Sequence, residues 1–424
     1  MANPGDKVKV TTTDKVVEGV LMPNEETDSV IVKMKSGYNI GIKKSKVKKI
    51  DVVSEAKPLP TVKGSIKNNP KLPTIAILHT GGTIASKVDY TTGGVVARFS
   101  PEEILGLFPE LYDIANIRSR MVCKMMSENM RFLHYKEMIK AVQEEIKAGV
   151  DGVIIAHGTD AMHYTAAALS FALEGLSVPV ILVGAQRSSD RGSSDAGMNL
   201  VSAAHFISKS DYAGVAICMH DNMEDTKCAI NPPVKTKKMH TSRRDAFKAI
   251  GDKPIAIVDY EKGKIDMIAK DLPESSKLIV KDNFEDKVGI VRCHPNMHPE
   301  EFSCFKGFKG LVIEGTGLGH APVIGDDDLT KVNEKNFKAL TDLIKSGTTV
   351  VMTSQCTYGA VHMHVYSAGV KLLKAGVIPC HDTLTETAFV KLAWLLGNKL
   401  DVKLMGENLR GEIKERVTTE FIDE

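Results

Sequence analysis

The sequence predicts an α/β protein with parallel sheets in two units of unequal size, preceded by a small all-β module. Three observations carry that prediction. From residue 74 onward, short apolar runs ending in Gly-containing loops alternate with stretches of helical period, the pattern of repeated β-α units. Residues 1–53 hold only short runs of strand character separated by turn residues, with no helical pattern. Between them, 54–73 carries Pro58, Pro60, Pro70 and Pro73 with little apolar periodicity, and is expected to be a linker.

Within residues 1–53 the runs V-K-V-T-T-T-D, V-V-E-G-V-L-M, S-V-I-V-K-M, Y-N-I-G-I and V-K-K-I-D-V-V read as five strands, enough for a small β-barrel of SH3-like size. Residues 1–70 contain 13 lysines and no arginine against 8 acidic residues, although the whole chain has a net charge of only +2. Lys43, Lys44, Lys46, Lys48 and Lys49 form the densest cluster. Such a run fits the solvated face of an edge strand and, as an alternative, a surface for nucleic acid.

The first α/β unit is expected over 74–276. Ile75 to Leu78 and the run before His157 read as strands buried on both faces. Helices are expected at Pro101 to Leu107, Phe132 to Ala148, Ala161 to Leu173 and Met198 to Ser208, with V-P-V-I-L-V-G-A as another strand. A polar connector at 277–286 leads to the second unit, 287–424. There K-V-G-I-V-R-C-H, G-L-V-I-E-G-T-G and T-T-V-V-M-T-S read as strands and Lys335 to Ser346, Val365 to Ala375 and Thr385 to Gly397 as helices.

At 424 residues the chain is too long for one core, and 43% hydrophobic with 25% charged residues is an ordinary globular composition. No apolar run approaches the length of a membrane span, and the first residues lack the apolar core of a signal peptide. A cytoplasmic location and no membrane association are expected. The seven cysteines include no C-x-x-C pair, so neither disulfides nor structural zinc is expected.

The chemistry is expected around Thr74 to Ser86, where an apolar strand breaks into T-G-G-T. In a parallel sheet the loop leaving the carboxyl end of a strand is the usual ligand site. Gly81 and Gly82 permit a sharp turn with bare amides, so that Thr80 and Thr83 would present hydroxyls beside N–H donors, as acyl transfer requires. No phosphate loop or dinucleotide fingerprint occurs. A second strand ends in Gly158-Thr159-Asp160, placing another hydroxyl and a carboxylate at the same edge. A threonine needs a base, and a buried lysine held by an acid can serve. Thr-Asp after a strand is also an ordinary helix cap.

T-G-G-T-I-A-S, the Tyr90-Thr91-Thr92-Gly93 loop, Ser127-Glu128 and H-G-T-D, in this order, resemble the bacterial-type L-asparaginase and glutaminase family over about residues 71–424. The resemblance implies an asparaginase-like two-domain core, with Thr83 as nucleophile on a side-chain carboxamide and Tyr90 as the lid tyrosine assisting it. It implies Thr159 and Asp160 as the second threonine and the acid, and Ser127 and Glu128 as binders of the substrate's α-carboxylate and α-amino groups. It also implies a lysine. Spacing before Asp245-Ala246-Phe247 makes Lys238 the best match, with Lys235 and Lys237 as competitors. No cofactor or metal is implied in this chain.

The basic front module resembles that of the D-subunit family of archaeal glutamyl-tRNA(Gln) amidotransferases. That resemblance implies glutamine as substrate and ammonia passed to an E subunit, which would hold ATP and Mg²⁺ and convert Glu-tRNA(Gln) to Gln-tRNA(Gln). It further implies a homodimer within a heterotetramer. A stand-alone L-asparaginase or glutaminase with an accessory domain is the alternative. Gly93-Gly94 would hinge the Tyr90 lid. Of the rival signals, Cys356 in S-Q-C-T-Y-G has no matched base and is expected to be a buried structural cysteine, and His294, His298, His362 and His364 lack a ligand set at metal spacing.

Overall fold

The computed structural model describes residues 2–22, 28–34, 39–55, 69–81, 86–88, 95–97, 108, 110–187 and 194–414. The expected helix at Pro101 to Leu107 and most of the linker, 56–68, lie outside them.

The front module is a five-stranded antiparallel sheet built from β1 (Lys7–Thr12), β2 (Val16–Met22), β3 (Ser29–Met34), β4 (Asn39–Lys43) and β5 (Val47–Ser54), in the order β4-β3-β2-β1-β5. Alternation decides its faces: Val8, Val10, Val17, Val32 and Ile42 turn inward to one core, while intervening residues face solvent. This sheet fits a small barrel-like domain. Lys43, Lys44, Lys46, Lys48 and Lys49 are all exposed on β4, β5 and the turn between them, at the two ends of the strand order.

The first α/β unit is organised on an eight-stranded sheet. Its strands are β6 (Thr74–Gly81), β7 (Asn116–Met125), β8 (Gly152–Ala156), β9 (Val180–Val183), β10 (Val215–His220), β11 (Lys227–Asn231), β12 (Ala256–Asp259) and β13 (Lys264–Met267), ordered β13-β12-β11-β10-β9-β8-β6-β7. The sheet is parallel over most of its width and mixed at one side. Strands β7, β6, β8, β9 and β10 run parallel, whereas β11, β12 and β13 join antiparallel. The parallel strands need crossover helices, and the antiparallel extension is made by direct returns of the chain.

Helices cover both faces of the parallel part, so each strand reads as a continuous apolar run. Ala76, Leu78, Val153, Ile155, Val180 and Leu182 face α1 (Phe132–Lys147) and α2 (Met162–Ala172). Ile75, Ile77, Ile154, Ile181 and Val183 face α3 (Ala196–Lys209). Helix α1 buries Tyr135, Met138, Ile139 and Val142, the i, i+3, i+4, i+7 stripe of an amphipathic helix. Helix α2 is buried almost all round, because the second unit covers its outer face.

That second unit has four parallel strands, β14 (Val288–Arg292), β15 (Gly310–Gly315), β16 (Thr349–Ser354) and β17 (Ile378–Pro379), in sequential order. Two-residue β17 is too short to leave a periodic trace in sequence. Helices α4 (Val332–Lys345) and α5 (Ser367–Ala375) pack on one face. Helix α6 (Thr385–Gly397) packs on the other face and continues the core shared with α2, where Phe171 and Trp394 stack with ring centroids 5.5 Å apart. The start of α6 therefore lies between the two units.

Candidate active site

Four parallel strands deliver their carboxyl ends to one edge, and Ser127, Glu128, Thr159 and Asp160 follow directly after two of them. The last residue of β6, Gly81, has φ +92, a conformation that glycine tolerates best. A side chain there would also lie 2.4 Å from the carbonyl oxygen of Met125 at the end of β7. Thr80 does not present its hydroxyl to a ligand: it is buried and donates to the Ala156 carbonyl of β8 at 3.1 Å. This corrects the reading of Thr80 as a site hydroxyl; the Thr80–Ala156 bond joins β6 and β8. Thr83 and Tyr90 fall outside the described residues, as do Gly82, Gly93 and Gly94. The backbone of Ser86–Val88 pairs antiparallel with Val95–Ala97.

After β7, Ser127 and Glu128 lie in one 3₁₀ turn, with Ser127 buried and Glu128 exposed. Ser127 touches the H-G-T-D segment directly. Its Oγ accepts from the Ala161 N–H at 3.3 Å, and a Cβ on Gly158 would stand 2.8 Å from both Ser127 Cβ and Oγ. Glycine at 158 is thus what lets the two segments meet. His157 fixes the turn from behind: its Nδ1 donates to the Gly158 carbonyl at 2.7 Å, leaving Nε2 to accept from Thr165 Oγ1 at 2.9 Å. Complete burial pushes the His157 pKa down to about 4, so the neutral tautomer that makes both bonds persists at neutral pH.

Thr159, Asp160 and Lys238 are brought together. Lys238 Nζ donates to Thr159 Oγ1 at 2.9 Å and to Asp160 Oδ1 at 2.6 Å. The Lys238 side chain is 10% exposed and that of Asp160 67%, so the pair sits at the mouth of the site with the lysine on its inner side. Of the three lysines in K-T-K-K, only Lys238 turns this way. Lys235 pairs with Asp382 at 2.6 Å and Lys237 with Glu386 at 2.8 Å.

Gln186 is a neighbour that sequence reasoning missed. Thr159 Oγ1 donates to Gln186 Oε1 at 3.3 Å. The Gln186 and Arg187 N–H groups both donate to the Asp195 carboxylate at 3.0 Å, and that carboxylate also accepts from Asn199 Nδ2 at 3.3 Å. Burial raises the Asp195 pKa, with those two backbone donors opposing it. No motif flags Gln186, whose place is set by β9 ending beside β8.

A cavity of about 460 Å³ opens beside these groups, lined by Ser127, Glu128, Asp160, Tyr135, Tyr164 and Phe389 among others. Its size and its mix of aromatic walls with a few polar groups suit a small ligand. A second cavity of about 360 Å³, by Glu174 and Arg410, lies away from the β6 and β8 termini and gathers no comparable set. Cys356 is exposed on the loop after β16, which corrects its reading as a buried structural cysteine. His362 and His364 lie with ring centroids 6.2 Å apart, and among the described residues no group of three or more His, Cys, Asp or Glu could hold a metal ion.

Family models match as "Asparaginase, N-terminal" at residues 74–272, "Glutaminase/Asparaginase C-terminal domain" at 287–407 and "GatD N-terminal domain" at 2–53. The D subunit of glutamyl-tRNA(Gln) amidotransferase from Pyrococcus furiosus is 46% identical, with 96% of this chain and 93% of that protein covered. The corresponding D subunit from Methanococcus maripaludis is 42% identical, covering 98% of this chain and 99% of its own. Among solved structures, the thermostable L-asparaginase of Thermococcus kodakarensis superposes with a TM-score of 0.71 at 28% identity, covering 81% of this chain and all of the other. The chain belongs to the family of glutamyl-tRNA(Gln) amidotransferase D subunits, with an asparaginase-type core behind the module that marks that family.

Proposed function

We propose that this chain is the glutamine-hydrolysing subunit of a tRNA-dependent amidotransferase, releasing ammonia for the conversion of Glu-tRNA(Gln) to Gln-tRNA(Gln). The observation that carries the chemistry is the placement of Lys238 Nζ within hydrogen-bond reach of both Thr159 Oγ1 and Asp160 Oδ1. In its neutral form an amine has two N–H donors and one lone pair. With both donors committed to those oxygens, the lone pair is left to take the proton of Thr83.

Thr83 Oγ attacks the carboxamide carbon, its proton passes to Lys238 and on to the leaving nitrogen, and ammonia departs from a glutamyl ester on Thr83. Water then attacks the ester, Lys238 receives its proton and passes it to Thr83 Oγ as the acyl–oxygen bond breaks, and glutamate is released with the free Thr83 hydroxyl restored. Ser127 and Glu128 hold the α-carboxylate and α-amino groups, and Tyr90 closes over the substrate with its loop, excluding water that would compete with transfer.

Ammonia goes to an E-subunit partner that binds ATP and Mg²⁺, so this chain needs no cofactor of its own. The working assembly is a homodimer of this chain within a heterotetramer, in the cytoplasm; no helix among the described residues is long and apolar enough to cross a membrane.

The test is ammonia release from glutamine and from asparagine by wild type and Thr83→Ala, with and without the E subunit and Glu-tRNA(Gln). Weak glutamine turnover that rises with partner and charged tRNA, and disappears in Thr83→Ala, is the expected result. Fast asparagine turnover indifferent to the partner would make the chain a free-standing asparaginase instead.

A further inference from the structure

The strand that carries Lys238 is fastened to the other unit. Thr236–Lys238 pairs antiparallel with Phe247–Ala249. Just before it, Lys235 is 1% exposed and donates to Asp382 twice, to Oδ2 at 2.6 Å and to the backbone carbonyl at 2.8 Å. The other oxygen of Asp382 accepts from the Lys414 N–H at 3.0 Å. Lys237 meets Glu386 at 2.8 Å, and Thr387 Oγ1 donates to the Val234 carbonyl at 2.8 Å. Asp382, Glu386 and Thr387 all belong to the second unit, at and just before the amino end of α6.

Strand alternation explains the division of labour. Residues 235 and 237 point one way and residue 238 the other. A backbone segment pinned at Val234, Lys235 and Lys237 to the second unit therefore holds out Lys238 toward the first. A lysine stem is long and flexible, so the direction in which its backbone presents it decides whether Nζ meets two oxygens at once or wanders.

We propose that Glu386 and Asp382 are positioning residues for Lys238: through Lys237 and Lys235 they set the strand so that Nζ bridges Thr159 and Asp160. The proposal rests on Lys238 serving as the base in the glutamine hydrolysis above. It places the amino end of α6 in the machinery of a site whose reacting groups all come from the first unit. Glu386 keeps its charge for this task. Burial favours its protonated form, yet the adjacent Lys237 outweighs that and holds its pKa below the ordinary carboxylate value. His163, buried between Glu386, Lys237, Lys238 and Asp160, is kept neutral by desolvation, with its pKa near 4, and adds no charge there at neutral pH.

The experiment is steady-state glutamine hydrolysis by the full chain, with its physiological partner present, in Glu386→Gln, Lys237→Met, Lys237→Arg and Lys238→Met. Because misplacement of a catalytic group acts on turnover rather than on binding, Glu386→Gln and Lys237→Met are expected to lower kcat by about 10-fold or more with KM within about twofold. Lys237→Arg, which keeps the pair, should retain kcat within about threefold of wild type. Asp382 is tested in the double variant Lys235→Met/Asp382→Leu, which leaves no unpaired charge; the same kcat-specific fall is expected. Wild-type kcat in Glu386→Gln alongside an inactive Lys238→Met would overturn the proposal and leave Lys238 as the base. So would a parallel loss of kcat, KM and melting temperature, the mark of a purely structural pair. An active Lys238→Met would instead sink the reading of the base on which the proposal stands.

Discussion

Lys391 Nζ and Glu412 Oε1 form an ion pair at 2.6 Å with neither side chain exposed to solvent. Lys391 lies on α6, while Glu412 belongs to the last described segment of the chain, which returns across both units. The remaining valences are filled. Lys391 also donates to the Glu407 carbonyl at 2.6 Å, and the Glu412 carboxylate accepts the N–H groups of Leu409 and Arg410. From there Arg410 donates to the Ser170 carbonyl of α2 at 3.0 Å, and Lys414 reaches Asp252 at 2.7 Å. The pair thus latches the tail that ties the two units together.

Removing one partner leaves a buried charge unpaired. Glu412→Ala is expected to destabilise the protein by about 3–5 kcal/mol, whereas Lys391→Met/Glu412→Leu costs far less because no charge is stranded. Denaturant titration followed by circular dichroism measures both; equal costs in the two variants would contradict the assignment.

Gly81 faces two constraints at once. Gly81→Ala must hold a side chain at φ +92 and within 2.4 Å of the Met125 carbonyl oxygen. The strain term is about 1–3 kcal/mol, and the collision with backbone adds to it. A lower melting temperature and a loss of glutaminase activity are expected, since Thr83 follows two residues on. Unchanged turnover would mean that the loop position is insensitive to how β6 ends.

At the site itself, Asp160→Asn and Lys238→Met are each expected to lower glutamine turnover by about 10²–10⁴-fold, the usual scale for losing proton transfer in the transition state. Thr159→Val, which removes a hydroxyl that accepts from Lys238 and donates to Gln186, should fall in the same direction. Steady-state kinetics at saturating glutamine measures each. Because Asp160 is largely exposed, Asp160→Asn should leave the melting temperature within a few degrees of wild type, separating a chemical defect from a folding one.

Two buried histidines make stability depend on pH. The pKa values of His157 and His163 in the folded chain lie near 4, below the ordinary 6.5, chiefly because burial disfavours their charged forms. The unfolded chain binds protons first as pH falls. Stability is therefore full above about pH 6.5, declines as pH drops toward 4, and changes no further through these groups once both states are protonated. Denaturation midpoints between pH 7 and 4 should fall, and His163→Phe should flatten part of that slope. A midpoint that rises on acidification would contradict the sign.

The sequence by itself marked the strands of the front module, the buried strands β6, β8 and β9, most helices, and the chemistry the chain carries. Period-two runs such as V-K-V-T-T-T mark the strands of the front module, and the unbroken apolar run of β6 announces a strand buried on both faces. T-G-G-T and H-G-T-D point to acyl chemistry through the residue types they place after strand ends. These are local signals, governed by side-chain period and turn chemistry over a few residues.

Only the tertiary structure decided what depends on pairing between distant segments. Strands β11 to β13 carry nothing in their composition that states their direction, and the mixed sheet follows from which neighbour each one meets. In K-T-K-K the spacing before Asp245-Ala246-Phe247 already favours Lys238 over Lys235 and Lys237. What the fold adds is direction: Lys238 Nζ meets Thr159 and Asp160, while Lys235 and Lys237 pair with Asp382 and Glu386, 147 and 149 residues further along the chain. Gln186 reaches Thr159 because β9 lies beside β8. Thr80, one residue from Gly81, is drawn inward by the Ala156 carbonyl of the adjacent strand. In each case the deciding partner lies far away in sequence, and a side chain's role follows from what the fold packs against it.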